Sequence, residues 1–324
     1  MYSIEELQQK LQVTFRETSL VREPAGLYEP IAYTLNLGGK RIRPLLVLLA
    51  CDLFGGDVED ALPAAIGIEL FHNFTLLHDD IMDNAPIRRG KETVFKRWNT
   101  ATAILSGDTM FILACQYLAR TKGDKLPEIL RIFNKTALEV CEGQQYDMNY
   151  EKNENVSIED YLGMIRLKTA VLLGCCLKIG AIIAGSTSVN AEKISLFGEN
   201  LGMAFQLQDD LLDAFGDESK FGKETGGDIV SGKKTFLYLK ALELAEPALR
   251  TRLAADYSAA YKDPKVKIDV FKKIFTTLKI PQETSNLIAQ YLKRARGLLI
   301  DIAVPSEQKK ELNQMVDILL CREY

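Results

Sequence analysis

The chain has 324 residues, 47% hydrophobic and 26% charged, so it is long enough to bury a sizeable core and is not disordered. Its formal net charge of −4 argues against a nucleic acid or an anionic membrane surface as a partner, so any anion site must be a local basic cluster. The N-terminal segment carries Glu5 and Glu6 before its first lysine, so we expect no signal peptide and a cytoplasmic location. The most apolar stretch, residues 170–185, is too short and too charged to predict a membrane span.

Helical periodicity dominates the chain, and alternating strand patterns are almost absent. A capping-box pattern, Ser3-x-x-Glu6, predicts the first helix start, and Pro44 is expected at a first helical position. The predicted helices cover residues 3–20, 28–37, 44–53, 62–83, 100–121, 125–150, 157–185, 190–215, 235–257, 264–277, 281–303 and 306–320. Residues 84–92 are a predicted loop, and residues 216–234 a mobile basic loop. The pattern predicts one all-α domain spanning residues 1–324.

Six cysteines show no Cys-x-x-Cys pair and lie mostly in apolar helical stretches. This pattern predicts small buried side chains in a reducing compartment rather than disulfides or a metal site.

Three carboxylates, Asp79, Asp80 and Asp83, end the predicted helix 62–83. Asp79 and Asp83 lie one turn apart on the same face, with Asp80 about 100° away. Such crowding costs stability unless cations or strong hydrogen-bond donors offset it. Oxygen ligands in this arrangement suit Mg²⁺, which binds through one or two carboxylates plus substrate phosphates.

The same spacing recurs at Asp209, Asp210 and Asp213, which end an apolar run that starts at Leu201. One such triplet alone is also typical of a solvated helix end. On average composition, however, two triplets are expected by chance less than about 0.01 times in this length. Together the triplets predict one site across a cavity between helices, with about three divalent ions and an anionic ligand such as a diphosphate.

Basic side chains near both triplets favour a phosphate ligand. Any one cluster could be a solvated loop, but three clusters in a chain with two acidic triplets favour an anion site. The clusters are Lys40, Arg41 and Arg43 after Gly38-Gly39; Arg88 and Arg89; and Lys220, Lys223, Lys233 and Lys234.

Several other sites do not fit the sequence. Glu69-x-x-His72 lacks the second Glu-x-x-His pair of a di-iron bundle, and Thr75 stands where His78 would need its glutamate. The first triplet lacks the central glycine of an EF-hand, and no Ser-His-Asp set or Walker loop is readable.

Four segments, in this order, resemble the trans-polyprenyl (isoprenyl) diphosphate synthase family: GGKRIRP, FHNFTLLHDDIMDNAPIRRG, RLKTA, and FQLQDDLLDAFGD with GKETGGDIVSGKKTF. The resemblance covers nearly the whole chain. It implies an all-α bundle around a central cavity, of the isoprenoid synthase type, assembled as a homodimer. It also implies condensation of isopentenyl diphosphate with an allylic diphosphate (dimethylallyl, geranyl or farnesyl), with Mg²⁺ as cofactor and Mn²⁺ as a possible substitute.

The resemblance assigns roles position by position. The main metal ligands it implies are Asp79, Asp83 and Asp209, supported by Asp80, Asp210 and Asp213. The residues implied for isopentenyl diphosphate are Lys40, Arg43, His72 and Arg89. Those implied for the allylic diphosphate are Arg88, Lys168, Lys223 and Lys233. Thr169 and Gln206 are implied to lie along the developing carbocation, which makes them catalytic candidates together with Lys168. The chain ends with Arg322 as the one basic residue near a terminus that is often more basic in the family.

Product length is expected to depend on Phe74, which lies about 7.5 Å before Asp79 along the helix axis. Position alone is equally consistent with an ordinary core residue. In the resembled family, a large aromatic residue five before the acidic motif goes with short products. Because the neighbouring Thr75 is small, we expect a farnesyl or geranylgeranyl product, with geranylgeranyl slightly favoured.

Two other functions compete with prenyl chain elongation. A class I terpene cyclase also uses an acidic helix motif, but it has no second co-substrate, so GGKRIRP and the second triplet argue against it. A catalytically silent partner subunit would be expected to lack acids from one triplet, and none is missing here.

Overall fold

The computed structural model describes residues 1–18, 20, 22–216, 225–259 and 261–320. Its helices are α1 Ile4–Glu17, α2 Ala25–Asn36, α3 Ile42–Leu53, α4 Val58–Met82, α5 Val94–Arg97, α6 Thr100–Leu118, α7 Leu126–Lys152, α8 Ile158–Ile165, α9 Val171–Ile183, α10 Ser188–Phe215, α11 Gly227–Ser231, α12 Phe236–Leu244, α13 Pro247–Ser258, α14 Pro264–Thr277, α15 Ile280–Ile300 and α16 Lys310–Leu320. A π-helical turn covers Arg166–Ala170, and short 3₁₀ turns cover Gly123–Lys125 and Ser306–Lys309. The prediction of an all-α fold is confirmed.

The first residues of three helices can be compared with the starts that the sequence predicted. The capping box of α1 is confirmed, since Ser3 Oγ accepts from the Glu6 amide at 3.2 Å and Glu6 Oε2 accepts from the Ser3 amide at 2.7 Å. The prediction for Pro44 was wrong, because α3 begins at Ile42 and places this proline third. Proline is tolerated there because the first four amides of a helix need no intrahelical partner. Helix α4 begins at Val58 rather than residue 62, because Asp57 caps it by accepting from the Glu59 amide.

Three predicted segments are interrupted in the structure. The helix predicted over 157–185 contains the π turn, and the helix predicted over 235–257 breaks between α12 and α13. The loop predicted over 84–92 contains a two-stranded antiparallel hairpin, β1 Ile87–Arg88 and β2 Lys91–Glu92. Its turn residues Arg89 and Gly90 both have left-handed φ angles, the geometry that two-residue hairpins prefer. Part of the predicted basic loop forms α11, and residues 217–224, which include Lys220 and Lys223, lie outside the described residues.

The chain forms two compact units. The first comprises Met1–Asn134, Cys175–Ile194 and Ala303–Glu311, and the second comprises Lys135–Gly174, Ser195–Ile302 and Leu312–Tyr324. In the first unit α4 packs on α3 and α6, and in the second α12 packs on α8, α14 and α15. The prediction of one domain over residues 1–324 stays a prediction.

Helix α6 is, among the described residues, the one helix that is long and apolar enough to cross a membrane by length and composition alone. It packs against α2, α4 and α5 in the first unit, as the core helix of a folded domain does.

The five cysteines that the structure describes form no disulfide. Cys51, Cys175 and Cys176 are buried as predicted, whereas Cys115 is partly exposed and Cys141 is exposed. Cys321 lies outside the described residues.

Because α9 packs closely on α3 at Gly180, we expect Gly180→Ala to lower the stability of the protein. An added Cβ would clash with the Val47 carbonyl and lie 2.9 Å from the Ala50 Cβ, so one backbone must shift. We expect a loss of about 1–3 kcal/mol in the free energy of unfolding, measured by urea denaturation. Gly297→Ala is the control, because a Cβ there meets nothing within 4 Å, and it should be neutral or stabilising. Equal stability of both variants would contradict the tight packing at Gly180.

Candidate functional site

The first acidic triplet lies on the last turn of α4, where an arginine compensates its charge. The Arg88 Nε donates to Asp80 Oδ1 at 2.7 Å, and its Nη2 lies 3.6 Å from Asp79 Oδ2. Burial raises the pKa of Asp80 to about 6, although Arg88 opposes this rise. Asp83 caps the helix and is exposed. One guanidinium therefore offsets two of the three carboxylates.

The hairpin sends its two arginines to different partners. Arg88 contacts the triplet, whereas Arg89 Nη1 donates to the Gly38 carbonyl. A Cβ on Gly39 would lie 2.8 Å from the Arg89 guanidinium, so the second glycine leaves space for this side chain. The space beside Gly39 is therefore occupied by an arginine side chain.

Arg43 and His72 form a second basic contact in the first unit. Arg43 Nη1 lies 3.1 Å from His72 Nε2. Because a guanidinium can only donate, Nε2 must accept, and the ring proton belongs on Nδ1. Burial and the nearby charges of Arg43, Arg89 and Arg88 lower the pKa of His72 well below its usual value. The imidazole is therefore neutral, with its Nδ1–H as a donor. Lys40 precedes this cluster and is exposed.

Sequence reasoning missed the role of Glu69, which it used only to reject a di-iron site. Glu69 is 4% exposed, and its Oε1 accepts from Asn73 Nδ2 at 3.0 Å. Burial raises its pKa, while Asn73 and then the charges of Arg43, Arg41 and Arg89 lower it. A buried carboxylate thus lies within the electrostatic reach of three arginines. A glutamate on the apolar face of a predicted core helix was the available signal.

The second triplet, in the second unit, is stabilised by hydrogen bonds. Asp210 is 5% exposed and accepts from the Tyr161 hydroxyl and, at 3.1 Å, from Gln206 Nε2. Thr169 Oγ1 donates to Gln206 Oε1 at 3.1 Å. Burial, and next the charge of Asp228, raise the pKa of Asp210 to about 8. Two predicted residues, Thr169 and Gln206, therefore lie in one hydrogen-bonded chain with the triplet.

The RLKTA segment forms the π turn, and two glycines on neighbouring helices allow those helices to pack closely against it. A Cβ on Gly143 of α7 would lie 2.7 Å from the Lys168 Cα, and one on Gly202 of α10 would lie 2.5 Å from the Ala170 Cα. Lys168 Nζ pairs with Asp147 Oδ2 at 2.5 Å. A π turn rotates the side chains that follow it, and such turns are frequent at functional sites.

The residues around this turn line a cavity of about 110 Å³ in the second unit. Its walls include Lys168, Thr169, Gln206, Asp210 and Lys233, all predicted from sequence, and also Asp147, Tyr161 and Asp228, which sequence reasoning missed. The Asp228 amide donates to Asp213 Oδ2 at 3.0 Å, and burial, then Asp213, raises the pKa of Asp228 to about 6. The sequence feature that could have identified Asp228 is its position in the glycine-rich segment after the second triplet.

Lys234 was predicted to lie in a mobile basic loop, but its side chain binds the backbone of α7. Its Nζ donates to the carbonyls of Tyr150 and Glu151 at 2.8 and 3.0 Å, near the C-terminal end of α7. This contact satisfies helix carbonyls that lack an intrahelical partner.

Phe74 is half-buried in an aromatic cluster of the first unit. Its ring centroid lies 5.5 Å from that of Phe111 and 5.7 Å from that of Phe71, which itself contacts Phe133 at 5.2 Å. The structure is consistent with both sequence interpretations of this ring, as a residue that limits product length and as an ordinary core residue.

Carboxylate oxygens are the ligands that Mg²⁺ prefers, so both triplets have suitable donors. Within the described ranges, no group of three His, Cys, Asp or Glu side chains is gathered closely enough to hold a metal by itself. Mg²⁺ usually keeps several waters and binds through one or two carboxylates plus substrate phosphates, which is the kind of site that these carboxylates suit. Two sequence candidates, Lys223 and the terminal Arg322, lie outside the described residues.

Comparisons with known proteins agree with this chemistry. A family model described as polyprenyl synthetase matches residues 24–275. The chain is 34% identical over 319 residues to a geranylgeranyl diphosphate synthase of Methanosarcina mazei, covering 94% of this chain and 92% of that protein. It is 43% identical over 228 residues to a short chain isoprenyl diphosphate synthase of Methanocaldococcus jannaschii, covering 70% and 69%. The crystal structure of a geranylgeranyl pyrophosphate synthetase from Pyrococcus horikoshii matches with a TM-score of 0.92 and 34% identity, over 99% of this chain and 97% of that one.

The raised pKa of Asp210 predicts a pH-dependent effect of Asp210→Asn on stability without metal. The folded state holds the carboxyl proton more tightly than the unfolded state, so the buried charge costs stability as pH rises from about 4 to about 8. The asparagine stays neutral, so its Tm in EDTA should exceed that of the wild type increasingly over this range. Asp256→Asn, at a partly exposed carboxylate on α13, is the control and should show no such trend. A Tm difference for Asp210→Asn that is independent of pH would contradict the raised pKa.

Proposed function

The chain belongs to the polyprenyl synthetase family, and on this premise we propose that it is a short-chain isoprenyl diphosphate synthase. In this reaction the double bond of isopentenyl diphosphate attacks the allylic carbon, the C–O bond of the allylic diphosphate breaks, and a proton is then lost. The products are inorganic diphosphate and a prenyl diphosphate that is longer by one five-carbon unit. The observation that carries the proposal is the pair of acidic triplets, each at the end of a core helix, with Arg88 already bound to the first. A terpene cyclase and a silent subunit are not favoured, since both triplets are complete and the relatives are named as synthases.

Mg²⁺ fits the donor set of both triplets, and we propose Asp79, Asp83 and Asp209 as its main ligands. Asp80 and Asp210 are committed to Arg88 and to Tyr161, so they are better placed to support the ligands than to bind directly. When bound, Mg²⁺ would neutralise the oxygens of the leaving diphosphate and favour cleavage of the C–O bond. The number of ions and the use of Mn²⁺ stay predictions.

Isopentenyl diphosphate is assigned to the basic cluster of the first unit, Lys40, Arg43, His72 and Arg89. The neutral His72 is oriented by Arg43, and its Nδ1–H can donate to a diphosphate oxygen. Arg43 and Arg89 supply planar guanidinium donors that match phosphate oxygens.

The allylic diphosphate is assigned to Arg88, Lys168 and Lys233, and by family resemblance to Lys223. Thr169 donates its hydroxyl proton to Gln206, so its oxygen lone pairs are directed elsewhere and can stabilise a developing allylic cation. Gln206 is in turn held by Asp210, which makes it a link between the triplet and Thr169.

We propose a farnesyl or geranylgeranyl product, with geranylgeranyl slightly favoured. Two observations support this range, the half-buried Phe74 in its aromatic cluster and the Methanosarcina relative that is named a geranylgeranyl diphosphate synthase.

We also propose a homodimer. Three apolar side chains of α6, Ile104, Leu105 and Ile112, are between 45% and 58% exposed. Exposed apolar side chains on one helix are typical of a protein–protein interface. The cytoplasmic location stays a prediction.

Asp79→Ala and Asp209→Ala should each abolish turnover with Mg²⁺ while the protein stays folded. Each variant removes a carboxylate ligand, and each also relieves repulsion within its triplet. Steady-state kinetics and circular dichroism together check this. Asp60→Ala, on the first turn of the same helix as Asp79, is the control and should keep its kcat. Retention of most of the wild-type kcat by either triplet variant would contradict the metal site.

The divergent contacts of the two hairpin arginines predict different substrate effects. Arg89→Ala should mainly raise KM for isopentenyl diphosphate, and Arg88→Ala should mainly raise KM for the allylic substrate. Each loses a charge-assisted phosphate contact worth roughly 1.5–3 kcal/mol, which corresponds to about 10- to 150-fold in affinity. Equal effects of both variants on both substrates would contradict this assignment but not the reaction.

Phe74→Ala should lengthen the product by at least one five-carbon unit, because it opens space below the first triplet without removing a phosphate contact. Chromatography of the dephosphorylated products measures the change. Thr75→Ser is the control, since serine can keep the hydrogen bond from this side chain to the His72 carbonyl. An unchanged product distribution in an active Phe74→Ala variant would mean that other residues limit product length.

A further inference from the structure

The short helix α11 lies between the second triplet and Lys233, and it is fixed at its start by the triplet itself. The Asp228 amide donates to Asp213 Oδ2 at 3.0 Å, and the Gly226 amide donates to the Asp213 carbonyl at 2.6 Å. Gly226 and Gly232 flank the helix with left-handed φ angles of 87° and 72°. The chain therefore turns sharply on both sides of α11, and any displacement of the helix would move Asp228 and Lys233 together.

The far end of α11 is held by Tyr257, from α13. The tyrosine is 2% exposed, and its hydroxyl donates to the Lys233 carbonyl at 2.8 Å and lies 3.5 Å from the Asp228 carbonyl. Its ring stacks on Tyr238 with centroids 3.9 Å apart. One buried hydroxyl thus contacts the backbone of Asp228, within α11, and of Lys233, just after it.

Lys267, from α14, makes a second contact with the same segment. It is 4% exposed, its Nζ donates to the Val230 carbonyl at 3.2 Å, and it lies 5.2 Å from the Tyr257 ring centroid. An ammonium group near the last carbonyls of a helix is electrostatically favourable, and its position over the tyrosine ring adds a cation–π contact. A buried lysine is costly unless it is paired, so this one has a specific partner in α11.

We propose that Tyr257 and Lys267 are positioning residues, which together form a clamp that sets Lys233 for the allylic diphosphate. Neither residue belongs to any of the family-like segments of the sequence, and neither lines the cavity beside the second triplet. The clamp acts on backbone carbonyls, so it fixes where the Lys233 side chain begins. The inference rests on the proposed function, because that function supplies the allylic ligand.

The alternative is that both residues only stabilise the second unit. The two roles differ in what substitution changes. A stabilising role lowers Tm without a preference between substrates. A positioning role weakens the allylic site selectively, since the side-chain hydrogen bonds of the clamp go to the segment that carries Lys233.

The test measures binding of geranyl diphosphate by calorimetry with Mg²⁺ and without isopentenyl diphosphate, so that no turnover is needed. Tyr257→Phe and Lys267→Met should each raise the Kd by about three- to tenfold, the loss expected for one hydrogen bond. KM for isopentenyl diphosphate should stay within about twofold of the wild type. Tyr238→Phe is the matched control and should leave the Kd unchanged, because the described residues give its hydroxyl no hydrogen-bond partner.

An unchanged Kd in a folded Tyr257→Phe variant would overturn the clamp, as would equal losses for both substrates. A wild type that binds geranyl diphosphate but forms no prenyl product would contradict the proposed function while the clamp is still tested through the Kd. A wild type that does not bind geranyl diphosphate would overturn both.

Discussion

Carboxylates that are crowded on one helical turn repel one another, and the side chains around both triplets offset this repulsion. Each triplet meets it differently. At the end of α4 the compensation is a charge, because Arg88 contacts both Asp79 and Asp80. At the end of α10 the compensation comes from hydrogen bonds, from Tyr161 and Gln206 to Asp210. Burial nevertheless raises the pKa of Asp80 and of Asp210, so a further positive charge nearby would stabilise each ionised carboxylate.

Glycines make the compensating contacts possible by allowing backbones and side chains to approach closely. Gly39 leaves space for the Arg89 guanidinium, and Gly143 and Gly202 receive the π turn that carries Lys168 and Thr169. In each case a Cβ would collide with a group that the site uses. The physical role of these glycines is therefore close packing at the site, with a left-handed backbone in addition at Gly39.

The sequence predicted the features that depend on local signals or on charge. The capping box of α1 is in the residues themselves, and the triplets were found by their spacing. The π turn was missed because its cause lies in the contacts of two other helices with residues 167–170. Lys234 was misjudged because the partners that bind it, the carbonyls of Tyr150 and Glu151, are distant in the chain. Tyr257 and Lys267 belong to no motif, and only the fold shows that they contact α11.

The proposed activity joins isopentenyl diphosphate to an allylic diphosphate. The most direct measurement incubates the purified protein and Mg²⁺ with isopentenyl diphosphate and dimethylallyl diphosphate, each alone and both together. Chromatography then separates the dephosphorylated prenyl alcohols from any hydrocarbon. Farnesol or geranylgeraniol is expected only when both substrates are present. A hydrocarbon formed from an allylic diphosphate alone, or no product from a folded protein, would contradict the proposed activity.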